Sequence, residues 1–251
     1  LLLGWHYNAQ FLQKVRAMKK TILLTGFEPF AGKRLNASRE VVRGLNGQCV
    51  GDDHIIVSES LPCAFRESLL RLEQLIELHQ PVVVIAVGQS GGRAAFSLER
   101  VAINLQDAAT PDAFGYQPVD QPVIEGASAA YFSTLPDKAI LASLREHGIP
   151  AKVSQSAGTY VCNTVFYSLM RAASRSAVPF RAGFVHIPYL PEQAANKKPG
   201  TPSMSATVAA LGLRLALSVT LAVKEDHSLS AGTDTLRSCH TTTNSMASAK
   251  H

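Results

Sequence analysis

A chain of 251 residues, 46% apolar and 17% charged, has the hydrophobic content of a globular protein with a sizeable core. Most of its formal charge of +5 falls near the ends, in Lys14 and Arg16 on one side and Arg237 and Lys250 on the other. The middle has no basic stripe interleaved with aromatics, which argues against capture of nucleic acid.

Residues 1–17 lack the Arg and Ser enrichment of a targeting peptide and the long apolar stretch of a secretion signal. They are expected to be an N-terminal extension, non-native or disordered. From Met18 the chain enters an apolar run over 21–25, a first buried strand. In Gly26-Phe27-Glu28-Pro29-Phe30 two aromatics sit in a turn, off any periodic face. Residues 55–57 and 82–87 are two further strands, the second apolar throughout, as in a strand covered on both faces. Between them Phe65, Leu69, Leu72 and Ile76 recur at helical spacing. The loop Gly88-Gln89-Ser90-Gly91-Gly92-Arg93 lets backbone approach a ligand closely, but it lacks the Walker lysine and the full dinucleotide-binding spacing.

The alternation continues with a helix over 137–146, a strand over 151–155, a helix over 161–173 and a strand over 183–187 that Pro188 ends. A last helix places Met204, Val208, Leu211, Leu215, Val219 and Ala222 inward. It is apolar around most of its circumference, yet Thr207, Arg214, Ser218 and Thr220 argue for a core or subunit-contact helix over a membrane span. The Ser- and Thr-rich residues 228–251 read as a disordered tail. The pattern predicts one α/β domain over 18–227: an open twisted mixed sheet flanked by helices on both faces, of the phosphorylase or hydrolase kind.

Cys49, Cys63, Cys162 and Cys239 are too widely spaced for redox or zinc pairs, which predicts reduced thiols and a cytoplasmic protein. No HExxH or clustered ligand set points to a metal. Cys162 is set apart by position. Small residues from Ser156 to Gly158 lead into a cysteine that opens an amphipathic helix, where free N–H groups favour a thiolate and can hold an oxyanion. His186, near the end of an apolar strand, is the candidate base, and Glu99, beside another strand, is a carboxylate available to orient it.

Taken together, LLTGFEPF (23–30), VGQSGGR (87–93), ERVAINL (99–105), SAGTYVCN (156–163) and GFVHIPYLPEQ (183–193) closely resemble the bacterial pyrrolidone-carboxylate peptidases, the pyroglutamyl peptidase I family of cysteine peptidases. The resemblance covers about residues 18–227. It implies removal of an N-terminal pyroglutamyl residue from peptides by Cys162, His186 and Glu99, with no cofactor. It further implies a lactam pocket walled by Phe27, Phe30 and Val161, hydrogen bonds from Asn36 and Gln89, support of the oxyanion region by Arg93, and a homotetramer. Two other readings are a phosphorylase-like transferase, whose glycine-rich loops would hold phosphate, and a non-catalytic binder of modified N-termini.

Overall fold

The computed structural model describes residues 19–223. The two terminal segments and Cys239 lie outside the described residues. Strands β1 (Lys20–Phe27), β2 (Cys49–Val50), β3 (His54–Leu61), β4 (Val83–Gln89), β5 (Phe96–Glu99), β8 (Ala151–Ser154) and β9 (Arg181–Ile187) form one sheet in the order β2-β3-β1-β4-β9-β5-β8. A separate antiparallel pair joins β6 (Val101–Ile103) to β7 (Ala130–Phe132).

The strands β3, β1, β4 and β9 run parallel, and apolar residues fill both faces of the two inner ones, β1 and β4. β5 then reverses direction against β9 while pairing in parallel with β8. The sheet is therefore mixed, as the alternating sequence pattern predicts. β1 continues through Phe27, so this aromatic ends a strand and does not sit in the turn beyond it.

Helices cover both faces. On one lie α1 (Ala37–Arg43), α3 (Asp137–Glu146) and α6 (Ala206–Ala222), packed on Leu24, Ile85, Leu98 and Val185. On the other lie α2 (Phe65–His79) and α4 (Val161–Arg175), packed on Leu23, Ala86 and Phe184. A short α5 (Pro191–Ala194) follows β9.

The inward face of α6 differs from the expected one. Ala209, Gly212, Leu213, Ala216, Leu217 and Thr220 are buried, whereas Leu211 is 43% exposed. A helix apolar nearly all round has no dominant stripe, so close approach selects the face. A Cβ on Gly212 would lie 2.9 Å from the ring of Phe96, so the small residues face the sheet. Among the described residues no helix is long and apolar enough to cross a membrane.

Candidate active site

Strand pairing brings the site together. Glu99 pairs with Phe184 and Ser97 with His186 across the β5–β9 ladder, so Glu99 and His186 share a face and lie on a diagonal that long side chains can span. His186 Nδ1 meets Glu99 Oε1 at 2.8 Å, with both side chains almost wholly buried. On β4, which runs parallel beside β9, Gly88 pairs with His186. A Cβ there would come within 2.9 Å of both the imidazole and the Phe184 ring, so glycine leaves the room that the histidine occupies.

The same face carries α4. Its Phe166 packs on Phe184, with ring centroids 5.8 Å apart, and Phe184 in turn packs on His186 at 4.9 Å. Cys162 is the second residue of this helix, where backbone N–H groups have no partner within the helix. Cys162 as a residue is partly buried, and its thiol lies within electrostatic reach of Glu99 and Arg93. Thus the nucleophile candidate, the imidazole and the carboxylate are gathered on one side of the sheet.

Burial pushes the Cys162 thiol well above the usual thiol range, reinforced by the charges of Cys63 and Glu99, while Arg93 and the helix backbone oppose the shift. The expected bias toward a resting thiolate is therefore reversed: desolvation outweighs the helix start. Burial also acts to raise the Glu99 carboxyl, but the hydrogen bond and charge of His186, aided by Ser154 and Arg93, hold it below its ordinary value. Glu99 is accordingly an anion at neutral pH.

Arg93 donates to Glu99 Oε1 at 2.5 Å and to the carbonyl of Ser156 at 3.3 Å. It braces the carboxylate against the loop leading to Cys162. Cys63 is closer to the site than its sequence position reveals. It packs in the same cluster as Tyr160 and Cys162, and burial and Asp112 push its thiol up to about 11.

Comparison with known proteins identifies the family. The family model for pyroglutamyl peptidase matches residues 20–223. The chain belongs to the pyroglutamyl peptidase family. A pyrrolidone-carboxylate peptidase of Yersinia pestis (strain Pestoides F) is 51% identical over 213 residues, 85% of this chain and 98% of that one. Among solved structures, pyroglutamyl peptidase I of Bacillus amyloliquefaciens aligns with a TM-score of 0.79 and 45% identity, covering 83% of this chain and all of that one. The pyrrolidone carboxyl peptidase of Thermococcus litoralis aligns at 0.78 with 36% identity, covering 81% and 94%.

The remaining residues expected in a family pocket divide into two groups. Phe30 is half-buried against Tyr160, with centroids 6.3 Å apart, and presents aromatic surface. Phe27 and Val161 are buried in the core, Phe27 against Phe184 at 6.4 Å, and present almost none. Asn36 caps α1: its Oδ1 accepts from the backbone N–H and the hydroxyl of Ser38, and its Nδ2 donates to the Glu28 carbonyl at 3.3 Å. Gln89 Oε1 accepts from Ala37 N at 2.9 Å and Gln193 Nε2 at 2.7 Å, tying α1 and α5 to the end of β4.

Asn163 and Ser154 also carry no role in the sequence reading. Asn163, wholly buried, accepts from Ile103 N and donates to the carbonyls of Ile103 and Leu105, anchoring the start of α4 to the β6 segment. One amide among the apolar residues 161–170 was its signal, since a buried polar side chain needs partners. Ser154 pairs in register with Glu99, a relation that nothing local in the sequence marks.

Proposed function

We propose that this member of the family is a cysteine exopeptidase that removes an N-terminal pyroglutamyl residue from peptides through a thioester intermediate. The observation that carries the assignment of roles is the buried Glu99–His186 hydrogen bond, on the sheet face covered by the helix whose second residue is Cys162.

With Nδ1 committed to Glu99, His186 has Nε2 to take the Cys162 proton. The thiol is protonated at rest because burial disfavours the anion, so proton transfer accompanies attack on the carbonyl that joins the lactam residue to the next amino acid. Glu99, held ionised, fixes the imidazole tautomer and stabilises the imidazolium. Free N–H groups at the start of α4 receive the oxyanion. His186 returns the proton to the leaving amine, and water then hydrolyses the thioester, regenerating the thiol. The residues supply every proton transfer themselves, so the reaction calls for no cofactor.

A pyroglutamyl ring is small, flat and uncharged. Phe30 and Tyr160 suit its faces, with Phe27 and Val161 beneath them in the core, and the Asn36 and Gln89 segments supply polar groups at its edge. Arg93 serves the oxyanion region indirectly, through Glu99 and the Ser156 carbonyl. A nucleophilic thiol must stay reduced to work, which favours the cytoplasm. The exposed Leu211 on an apolar helix is consistent with assembly into a homotetramer.

Hydrolysis of a pyroglutamyl-aminomethylcoumarin reporter tests the assignment. Wild type is expected to cleave it without added phosphate, and Cys162→Ala to lose all detectable turnover while keeping its circular dichroism and melting temperature. Retained turnover in Cys162→Ala overturns it.

A further inference from the structure

Glu99 is wholly buried, and its two oxygens are treated unequally. Oε1 accepts from both His186 and Arg93, whereas Oε2 is buried without a hydrogen-bond partner. A buried anionic oxygen left unpaired is costly, so a neighbouring donor is expected. Residues paired in register on adjacent parallel strands point to the same face, and the residue paired with Glu99 is Ser154. In this structure its hydroxyl donates to the carbonyl of Ser156 at 3.2 Å, so donation to Glu99 calls for the side chain to turn away from that bond. That bond is long for one between oxygens, and the Ser156 carbonyl also receives Arg93.

We propose that Ser154 is a positioning residue for the site, its hydroxyl donating to Glu99 Oε2 so that the carboxylate stays ionised and aimed at His186. The hydroxyl helps hold the Glu99 carboxyl below its ordinary value, in keeping with this role. Glu99 is otherwise faced by His186 from β9, Arg93 from the glycine-rich loop and Cys162 from α4, none of which a change at Ser154 removes. The inference rests on the peptidase reading for what Glu99 does.

The test compares wild type, Ser154→Ala and Ser154→Thr. It reads the pH profile of kcat/KM on the coumarin reporter and, in parallel, the pH profile of Cys162 alkylation by iodoacetamide, followed by mass spectrometry of the Cys162 peptide. Loss of the donor raises the Glu99 pKa, so the acid limb of both profiles moves to higher pH in Ser154→Ala. Activity on the acid side falls roughly threefold to tenfold, with KM altered less than about twofold. Ser154→Thr, which keeps the hydroxyl, retains the wild-type limb. An acid limb unmoved in Ser154→Ala, or moved as far in Ser154→Thr, overturns the proposal and assigns the hydroxyl to the Ser156 turn alone. A wild type that leaves the reporter intact sinks the peptidase reading, while the alkylation profile still decides on Ser154.

Discussion

A carboxylate with no solvent contact is the pivot of the site, and each neighbour acts on it differently. His186 gains a fixed tautomer from it, and Arg93 joins it to the Ser156 carbonyl. The imidazole has little freedom in return, because Gly88 leaves only the space a hydrogen needs. Gly88→Ala is therefore expected to displace His186 or Phe184. A misplacement of about 1 Å at a reacting group can cost on the order of 10²-fold, so kcat should fall at least about tenfold while KM changes little. Steady-state kinetics on the pyroglutamyl reporter checks this, and a wild-type kcat would show that the rings yield at no cost.

Elements transmit packing to that site. Gly212 on α6 lies against Phe96, the first residue of the strand that ends in Glu99. Gly212→Leu inserts a branched side chain where even a Cβ is crowded. The expected cost is about 1–3 kcal/mol, seen as a melting temperature several degrees below wild type. This contact also shows where sequence patterning stops being informative. β1, β4 and β9 were readable because they are apolar runs, and α2 because its apolar residues keep helical spacing. β5 was not, because Ser97 and Glu99 are polar yet buried on the site face. α1 is only seven residues long, too short for a periodicity, and its cap Asn36 entered the sequence reading only as a pocket residue. The inward face of α6 depends on what it packs against, which its own composition does not encode. Local motifs marked Cys162, His186 and Glu99 as candidates, whereas nothing local marked the register linking Glu99 to residues 87 and 55 positions away. The displacement of the Cys162 thiol away from the anion follows from burial by distant segments, which outweighs the local helix start.

The whole molecule senses Glu99 through its proton. Its folded pKa lies below the ordinary carboxyl value of 4.5, so the unfolded chain binds the proton more readily. The stability this contributes is fully present above about pH 4.5 and is lost as pH falls through the lower folded value. Urea unfolding of wild type and Glu99→Gln should therefore show a gap that is widest at neutral pH and narrows on acidification. A gap independent of pH would mean that the pairing with His186 and Arg93 adds nothing to the fold.

The reversed strand β5 has a consequence for handling the protein. A slip of one residue against β9 would turn Glu99 to the opposite face, where Leu98 and Val185 lie, and leave His186 without its carboxylate. Such a chain could regain helices and bulk and still be inert. Specific activity recovered from denaturant is thus a direct gauge of how many molecules have zipped β5 correctly, a quantity that far-ultraviolet spectra would overstate.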